Sequence, residues 1–159
     1  MTGIRTIAAA AFFMAGMLAA APVDAQTIDA ADPQTVAGFL KAEGLSVTVK
    51  KDTDGDPLIE SSLGKNQGFS VFFYNCTEHQ ACKTLQFYAG FTDSKADAAR
   101  LNDWNRTKRF GRAYIDKVGD PVVEMDITTS GGMPRSLFAD NFRLWKILMS
   151  EFPEFIYPE

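Results

Sequence analysis

The sequence predicts an α+β fold, with an antiparallel sheet of about five to six strands and three helices in the order α-β-β-β-β-α-β-β-α. Several short segments alternate apolar and polar residues, which is the periodicity of strands, and turns containing Asp and Gly separate pairs of them. Three other segments repeat apolar residues at helical spacing and are bounded by capping residues, Gly or Pro. Because short turns join neighbouring strands, we expect antiparallel pairing with the helices grouped on one face.

Residues 1–25 have the features of a cleaved export signal. Arg5 supplies a positive charge, and a long uncharged apolar run follows it. The sequence Val-Asp-Ala ending at Ala25 fits the small-x-Ala cleavage pattern, so cleavage is predicted after Ala25. The apolar run is shorter than the ~20 residues that cross a bilayer. We therefore expect a single domain over 26–159 that is periplasmic or secreted, with no membrane span after cleavage.

The charge balance excludes one broad class of function. The chain of 159 residues carries 16 Lys and Arg against 20 Asp and Glu, for a net charge of −4. A nucleic-acid-binding surface needs clustered positive charge to neutralise phosphates, so no nucleic-acid partner is expected. The sequence has a single histidine, and neither a phosphate loop nor a nucleophile elbow. We therefore expect no cofactor.

The first helix is predicted from its boundary residues. Asp32 is a favoured N-cap, Pro33 suits the first helical position, and Gly44 ends the segment. Its apolar face consists of Val36, Phe39 and Leu40.

Four strands should follow the first helix. Residues 45–49 alternate apolar and polar side chains, and Asp54-Gly55 is a strong hairpin signal because both residue types tolerate positive φ. The remaining strands are predicted over 57–62, 69–76 and 84–91, with the loop 77–83 between the last two.

The second helix should begin at Asp93 or Ser94 and run to about Phe110, where Gly111 ends it. A hairpin turning at Gly119-Asp120 is expected next. Its strands are predicted over 112–117 and 122–128.

A long third helix is predicted from about Arg135, after a break at Gly131-Gly132. Pro153 lies near its end, and the tail 155–159 is expected to be loose. The predicted core-facing residues are Leu137, Asn141, Leu144, Trp145, Leu148 and Phe152.

Alternation along the strands sorts their side chains into two faces. The face expected to contact the helices is apolar and comprises Val71, Phe73, Leu85, Phe87, Phe91, Ala113, Ile115, Val123, Met125 and Ile127. The opposite face comprises Phe72, Tyr74, Tyr88, Arg112, Tyr114, Asp116, Glu124 and Asp126. Aromatic residues mixed with charge are typical of a surface that meets a partner, but they also suit a half-solvated sheet face.

Two cysteines flank the tip of one predicted hairpin. In an exported protein, Cys76 and Cys82 most simply form a disulfide. The alternatives are two free thiols, or a metal site that uses Cys76, His79 and Cys82, although a structural zinc site would need a fourth ligand.

Three carboxylates offer an enzymatic alternative. Glu124 and Asp126 are two residues apart on one strand, which places them ~6.5–7 Å from each other, and Asp116 is expected on the neighbouring strand. Such a set could perform acid–base chemistry in a pocket, or it could simply be solvated.

Four segments carry a resemblance to a known family. They are the run from Leu101 to Tyr114 (LNDWNRTKRFGRAY), the run 124–127 (EMDI), Gly131-Gly132, and the run 137–145 (LFADNFRLW). Together they resemble the YbjN family of bacterial proteins, which are described as sensory-transduction regulators. The similarity extends over most of the predicted domain, from about residue 35 to residue 156.

The resemblance implies a fold similar to that of type III secretion chaperones, which are small α+β proteins that usually dimerise and bind unfolded segments of client proteins. It therefore implies a possible homodimer and a protein or peptide client. It carries over no catalytic residue. This chain departs from the family's better-known cytoplasmic members in its export signal and in the pair Cys76 and Cys82.

The function predicted from these observations is that of a non-enzymatic exported protein that binds a protein or peptide. The alternatives are a small envelope enzyme using Asp116, Glu124 and Asp126, and a metal-handling protein using the cysteine loop. The side chains expected to contact a partner are Phe72, Tyr74, Tyr88, Tyr114, Glu124 and Asp126.

Overall fold

The computed structural model describes residues 27–157. The predicted signal peptide and its cleavage site lie outside the described residues. The strands are β1 (Thr27–Ile28), β2 (Val47–Lys51), β3 (Pro57–Ser62), β4 (Gly68–Tyr74), β5 (Thr84–Gly90), β6 (Arg112–Ile115), β7 (Pro121–Thr128) and β8 (Met133–Pro134). The helices are α1 (Pro33–Ala42), α2 (Ala98–Thr107) and α3 (Arg135–Ile156).

The six longer strands form one sheet in the order β2-β3-β4-β5-β7-β6, and every neighbouring pair is antiparallel. The α+β prediction is confirmed. The sequence did not predict a second, two-stranded sheet, in which β1 pairs with β8. Ile28 of β1 is buried in the core, and β8 immediately precedes α3 in the chain. None of the helices that the structure describes is both long and apolar enough to cross a membrane.

The start of α1 agrees with its predicted cap. The Asp32 carboxylate accepts a hydrogen bond from the backbone N–H of Gln34 at 2.9 Å, and Pro33 occupies the first helical position. The predicted face, Val36, Phe39 and Leu40, is buried against the sheet side of the molecule.

The predicted start of α2 was wrong, because its cap is Asp97 rather than Asp93 or Ser94. The Asp97 carboxylate accepts from the N–H of Arg100 at 2.9 Å. The Ser94 hydroxyl instead donates a hydrogen bond to the carbonyl of Ile156 at 2.9 Å, and these two residues are 62 positions apart in the chain. The helix also ends earlier than predicted, at Thr107, and Phe110 lies beyond it with a positive φ of 71°.

The predicted inner face of α3 is confirmed at Trp145, Leu148 and Phe152, which are buried, and is wrong at its other three positions. Leu137 is 49% exposed, and Leu144 and Asn141 are only half-buried, so these three do not form the core contact. The buried residues of α3 are Phe138, Phe142, Trp145, Leu148, Met149, Phe152 and Ile156.

The tail is also ordered further than predicted. Helix α3 continues through Pro153 to Ile156, which is buried. The Arg100 guanidinium donates to the carbonyl of Phe155 at 2.8 Å and stacks over the Phe155 ring at 4.5 Å. This cation from α2 fixes the last turn of α3 to the domain. Residues 158–159 of the predicted loose tail lie outside the described part of the chain.

Aromatic rings join α1 and α3 to one face of the sheet. Phe39 of α1 contacts Phe138 of α3 edge-on, with ring centroids 4.8 Å apart. Phe87, at the centre of the sheet on β5, meets Trp145 at 5.5 Å and Phe142 at 6.1 Å. Such pairs add about 0.5–1.5 kcal/mol each to the effect of burial alone. The prediction that the apolar sheet face contacts the helices is confirmed.

Two leucines on α3 test the observed orientation of this helix. Leu148 is 4% exposed and Leu137 is 49% exposed. We expect Leu148→Ala to lower the free energy of unfolding by roughly 2–5 kcal/mol, because it leaves a cavity in the core. Leu137→Ala should change the free energy by no more than about 0.5 kcal/mol. Urea unfolding of both variants measures the difference, and equal losses would show that the helix faces the sheet differently.

Candidate functional site: the open face of the sheet

The sheet surface opposite the helices forms the candidate site, and we call it the open face. It contains all the residues predicted to meet a partner. Two of its aromatic residues are partly accessible to solvent, with Tyr74 41% and Tyr114 38% exposed. The described helices pack on the other side, so this surface has no layer of its own. Its residues on β4 to β7 include Phe72, Tyr74, Gln86, Tyr88, Arg112, Tyr114, Glu124 and Asp126.

An aromatic cluster occupies the middle of the open face. The rings of Phe72 and Tyr74, alternate residues on β4, are stacked with centroids 6.2 Å apart. Tyr88 on β5 meets Phe72 edge-on at 5.7 Å. Because β4 and β5 are paired in fixed register, these three rings form a continuous patch rather than isolated side chains.

A chain of hydrogen bonds runs beside the aromatic cluster. The Tyr74 hydroxyl donates to Oε1 of Gln86 at 3.4 Å, and Nε2 of Gln86 donates to Oδ1 of Asp126 at 2.9 Å. Gln86 lies directly opposite both Phe72 and Asp126 in the strand register, and it is only 9% exposed. Sequence reasoning missed Gln86. Its position on the strand could have indicated this face, but nothing in its residue type predicts burial.

Glu124 is the most unusual residue of the open face, because this carboxylate is only 2% exposed on a surface that no helix covers. The Arg112 guanidinium, directly opposite on β6, donates Nε–H to Oε1 of Glu124. The Tyr114 hydroxyl donates to Oε2 at 3.1 Å, and the Arg112 guanidinium lies 5.8 Å from the Tyr114 ring centroid. A buried carboxylate is tolerated only when paired and hydrogen-bonded, and here both oxygens are satisfied.

Burial and negative charge keep the tyrosines of this face protonated. The pKa of Tyr114 is raised to about 12, first by burial and then by the charge and hydrogen bond of Glu124. Burial likewise raises the pKa of Tyr88, with a contribution from Asp116, and that of Tyr74, with a contribution from Glu124. At neutral pH the three hydroxyls carry their protons, and those of Tyr74 and Tyr114 donate to Gln86 and Glu124 respectively.

The structure does not bring the three predicted carboxylates together as a catalytic set. Asp116 is not on the sheet face as predicted, because it opens the turn between β6 and β7. Its carboxylate accepts from the N–H groups of Val118 at 3.0 Å and Asp120 at 2.9 Å. Glu124 is held by Arg112 and Tyr114, while Asp126 accepts from Gln86. Each carboxylate therefore has a separate local partner.

The predicted disulfide between Cys76 and Cys82 is confirmed. Between the cysteines, Thr77 and Gln80 exchange backbone hydrogen bonds of 2.7 and 2.9 Å, which closes a tight turn. The remaining member of the proposed metal site, His79, has its Nδ1 2.8 Å from Oδ1 of Asp56 in the β2–β3 turn. Both sulfurs are bonded to each other, so they offer no thiolate to a metal. Residues 27–157 contain no group of three or more His, Cys, Asp or Glu side chains placed to hold a metal ion.

The Tyr114 hydroxyl gives a pH-dependent prediction. Folding raises the pKa of this hydroxyl above the ordinary tyrosine value of about 10. Its contribution to stability should therefore be complete below about pH 10 and be lost as the pH rises towards 12. Titration of the phenolate absorbance should lose its last component in Tyr114→Phe and keep it in Tyr157→Phe. A last component that survives in Tyr114→Phe would contradict the assignment.

Arg112 and Arg143 provide a matched test of the buried pair. Both arginines are mostly exposed, at 68% and 69%, but the partner Glu124 is 2% exposed and the partner Asp140 is 64% exposed. We expect Arg112→Gln to cost roughly 1–3 kcal/mol, because it leaves a buried carboxylate short of a donor. Arg143→Gln should cost no more than about 0.5 kcal/mol. Thermal or urea unfolding measures both, and equal costs would mean that Glu124 is solvated.

Comparison with known proteins agrees with this architecture. Residues 32–157 match the family model of YbjN, described as "Putative bacterial sensory transduction regulator". A solved structure described as "Crystal structure of YbjN, a putative transcription regulator from E. coli" has a TM-score of 0.50 at 15% identity, covering 74% of this chain and 84% of that chain. At that identity the likeness concerns the fold alone. No curated protein matches the sequence. The family match extends over most of the chain, and the chain therefore belongs to the YbjN family.

Proposed function

We propose that this protein is a non-enzymatic, exported regulatory or chaperone-like domain that binds a protein or peptide through its open face. The observation that carries the proposal is the aromatic cluster of Phe72, Tyr74 and Tyr88, which lies on the side of the sheet away from the helices. Aromatic residues are enriched where proteins meet, since they combine apolar area with a polar tip.

The open face is also organised in advance for binding. Its side chains stand on paired strands, and Gln86, Asp126 and Tyr74 hold one another through hydrogen bonds. Tyr114 is fixed by Glu124. A partner that docks on such a surface loses little free energy to ordering these side chains, which favours affinity.

A non-enzymatic role is supported by the state of the carboxylates. Glu124, Asp126 and Asp116 each accept hydrogen bonds from a different local partner, and they do not converge on one position. The description of the family is that of a regulator rather than of an enzyme.

Export is supported by two features of the chain. Residues 1–25 have the pattern of a cleaved signal, and a disulfide joins Cys76 to Cys82, as is common in oxidising compartments. An exported protein with a net charge of −4 would regulate through a protein partner rather than through DNA. We further propose that it acts as a homodimer.

Two tyrosines of equal exposure test the binding surface. Tyr74, on the open face, is 41% exposed, and Tyr157, at the end of α3, is 43% exposed. In cells that carry the exported protein, envelope crosslinking should capture a partner. We expect Tyr74→Ala to weaken its binding by roughly tenfold or more, since truncating a central interface aromatic costs about 2 kcal/mol.

Tyr157→Ala is the control and should bind as the unmodified protein does, with both variants checked for folding by their melting temperatures. The proposal would be wrong if Tyr74→Ala retained the partner, or if no partner were captured at all.

A further inference from the structure

The two edges of the six-stranded sheet are not equivalent. At the β6 edge, the side-chain amide of Asn105 on α2 occupies the place of a further strand. Its Nδ2 donates to the carbonyl of Ala113 at 2.8 Å, and its Oδ1 accepts from the N–H of Ala113 at 2.8 Å. Because one amide satisfies both backbone groups, this edge is closed to another chain at Ala113.

The β2 edge is open. The N–H of Asp52 bonds to the carbonyl of Asp56 at 2.9 Å, which fixes the alternation of the β2–β3 ladder. In that alternation, the backbone groups of Val47, Val49 and Lys51 point away from β3. Within residues 27–157, no hydrogen bond outside the β2–β3 pair reaches these groups. An uncovered row of this kind is a template for pairing with another strand.

We propose that β2 pairs antiparallel with β2 of a second copy of this chain, so that the two sheets continue through the interface. The choice of a second copy as the partner of β2 follows from which sheet edges are available. Pairing between β2 and the β6 edge would add copies without limit, but Asn105 blocks that contact. Pairing of β2 with itself about a two-fold axis closes after two copies.

The strand sequence suits a two-fold axis that passes between the two Val49 residues. In that register, Val49 faces Val49 of the partner subunit, Val47 faces Lys51 of the partner subunit, and Thr48 faces Lys50 of the partner subunit. The backbone groups of Val47, Val49 and Lys51 then all find partners, with two hydrogen bonds for each facing pair. Two lysines directly opposite each other would be destabilising, and this register places no lysine opposite another.

The exposed side chains agree with this pairing. Val49 is 40% exposed, although it lies on the face of the sheet that packs against the helices. Pairing would place two such valines together and extend the apolar core across the interface. Lysine on an edge strand often keeps strands apart, but Lys50 here is already engaged by Glu60 on β3.

Pairing through β2 would also join the open faces of the two copies. Lys50 lies opposite Leu58, and Leu58 lies opposite Phe72, in one row of that face. Two copies joined through β2 would therefore present one continuous open face with an aromatic cluster on each side of the axis. This inference specifies the interface of the proposed homodimer and does not depend on whether a client binds.

Cysteine substitutions at two exposed valines test the interface. In a hydrogen-bonded antiparallel pair the Cα atoms lie about 5.5 Å apart, and the Cβ atoms are too far apart for an unstrained disulfide, so a short thiol-to-thiol crosslinker is used. With this crosslinker, the purified exported protein carrying Val49→Cys should form a covalent dimer. Val118→Cys should not, although Val118 in the β6–β7 turn is 81% exposed.

A proline variant gives the complementary measurement. In Val49→Pro the lost N–H points outward, so the β2–β3 ladder keeps its hydrogen bonds. Sedimentation should give twice the chain mass for the unmodified protein and the single mass for Val49→Pro. A lower melting temperature is itself expected from the lost dimer contact, so folding of Val49→Pro is checked by far-ultraviolet circular dichroism. If that spectrum is of an unfolded chain, the cysteine pair alone decides.

A monomer at high concentration, or Val49→Cys that links no better than Val118→Cys, would overturn the inference. Partner capture through Tyr74 is measured separately. A monomer that still captures its partner therefore refutes the β2 interface and leaves the proposed client binding intact. A β2-linked dimer that captures no partner supports the interface and refutes the client binding.

Discussion

Within residues 27–157, the helices leave one face of the six-stranded sheet uncovered, and the rest of the structure depends on that constraint. The covered face is a dense aromatic core in which Phe87 contacts Phe142 and Trp145 of α3. The other face must protect its own backbone and polar groups with the side chains that stand on it. It does so with rings and paired charges rather than with an apolar layer, and this is why Glu124 can be buried on an uncovered surface.

The same constraint applies to the edges of the sheet. Helix α2 lies beside β6, and Asn105 satisfies the backbone of Ala113 there. No described element does the same for β2, whose edge groups remain available. A surface suited to a client and an edge suited to a second copy thus arise from one arrangement, in which the helices are concentrated over the core.

The alternation of the strands was sufficient to predict the longer strands and their two faces, because successive side chains of a strand point to opposite sides. It did not predict that β7 pairs with β5, since α2 and β6 separate these strands in the chain. The face of α3 was not predictable in the same way, since Leu137 and Leu144 form a second apolar stripe beside Phe138 and Phe142. Only packing against the sheet selects one stripe. Ser94 does not cap α2, and its hydroxyl instead donates to the carbonyl of Ile156, a long-range contact that sequence spacing cannot reveal. The strand register places the predicted side chains on one side of the sheet, with the exception of Asp116, but the burial of Glu124 depends on Arg112 and Tyr114 closing over it.

The central claim is that the open face is covered by a partner in the cell. The most direct measurement is covalent labelling of tyrosine side chains in intact cells, compared with labelling of the purified protein. The account predicts that Tyr74 and Tyr114 are protected in cells, while Tyr157, of similar exposure, is labelled equally in both samples. Equal labelling of all three tyrosines, or protection confined to Tyr157, would contradict it.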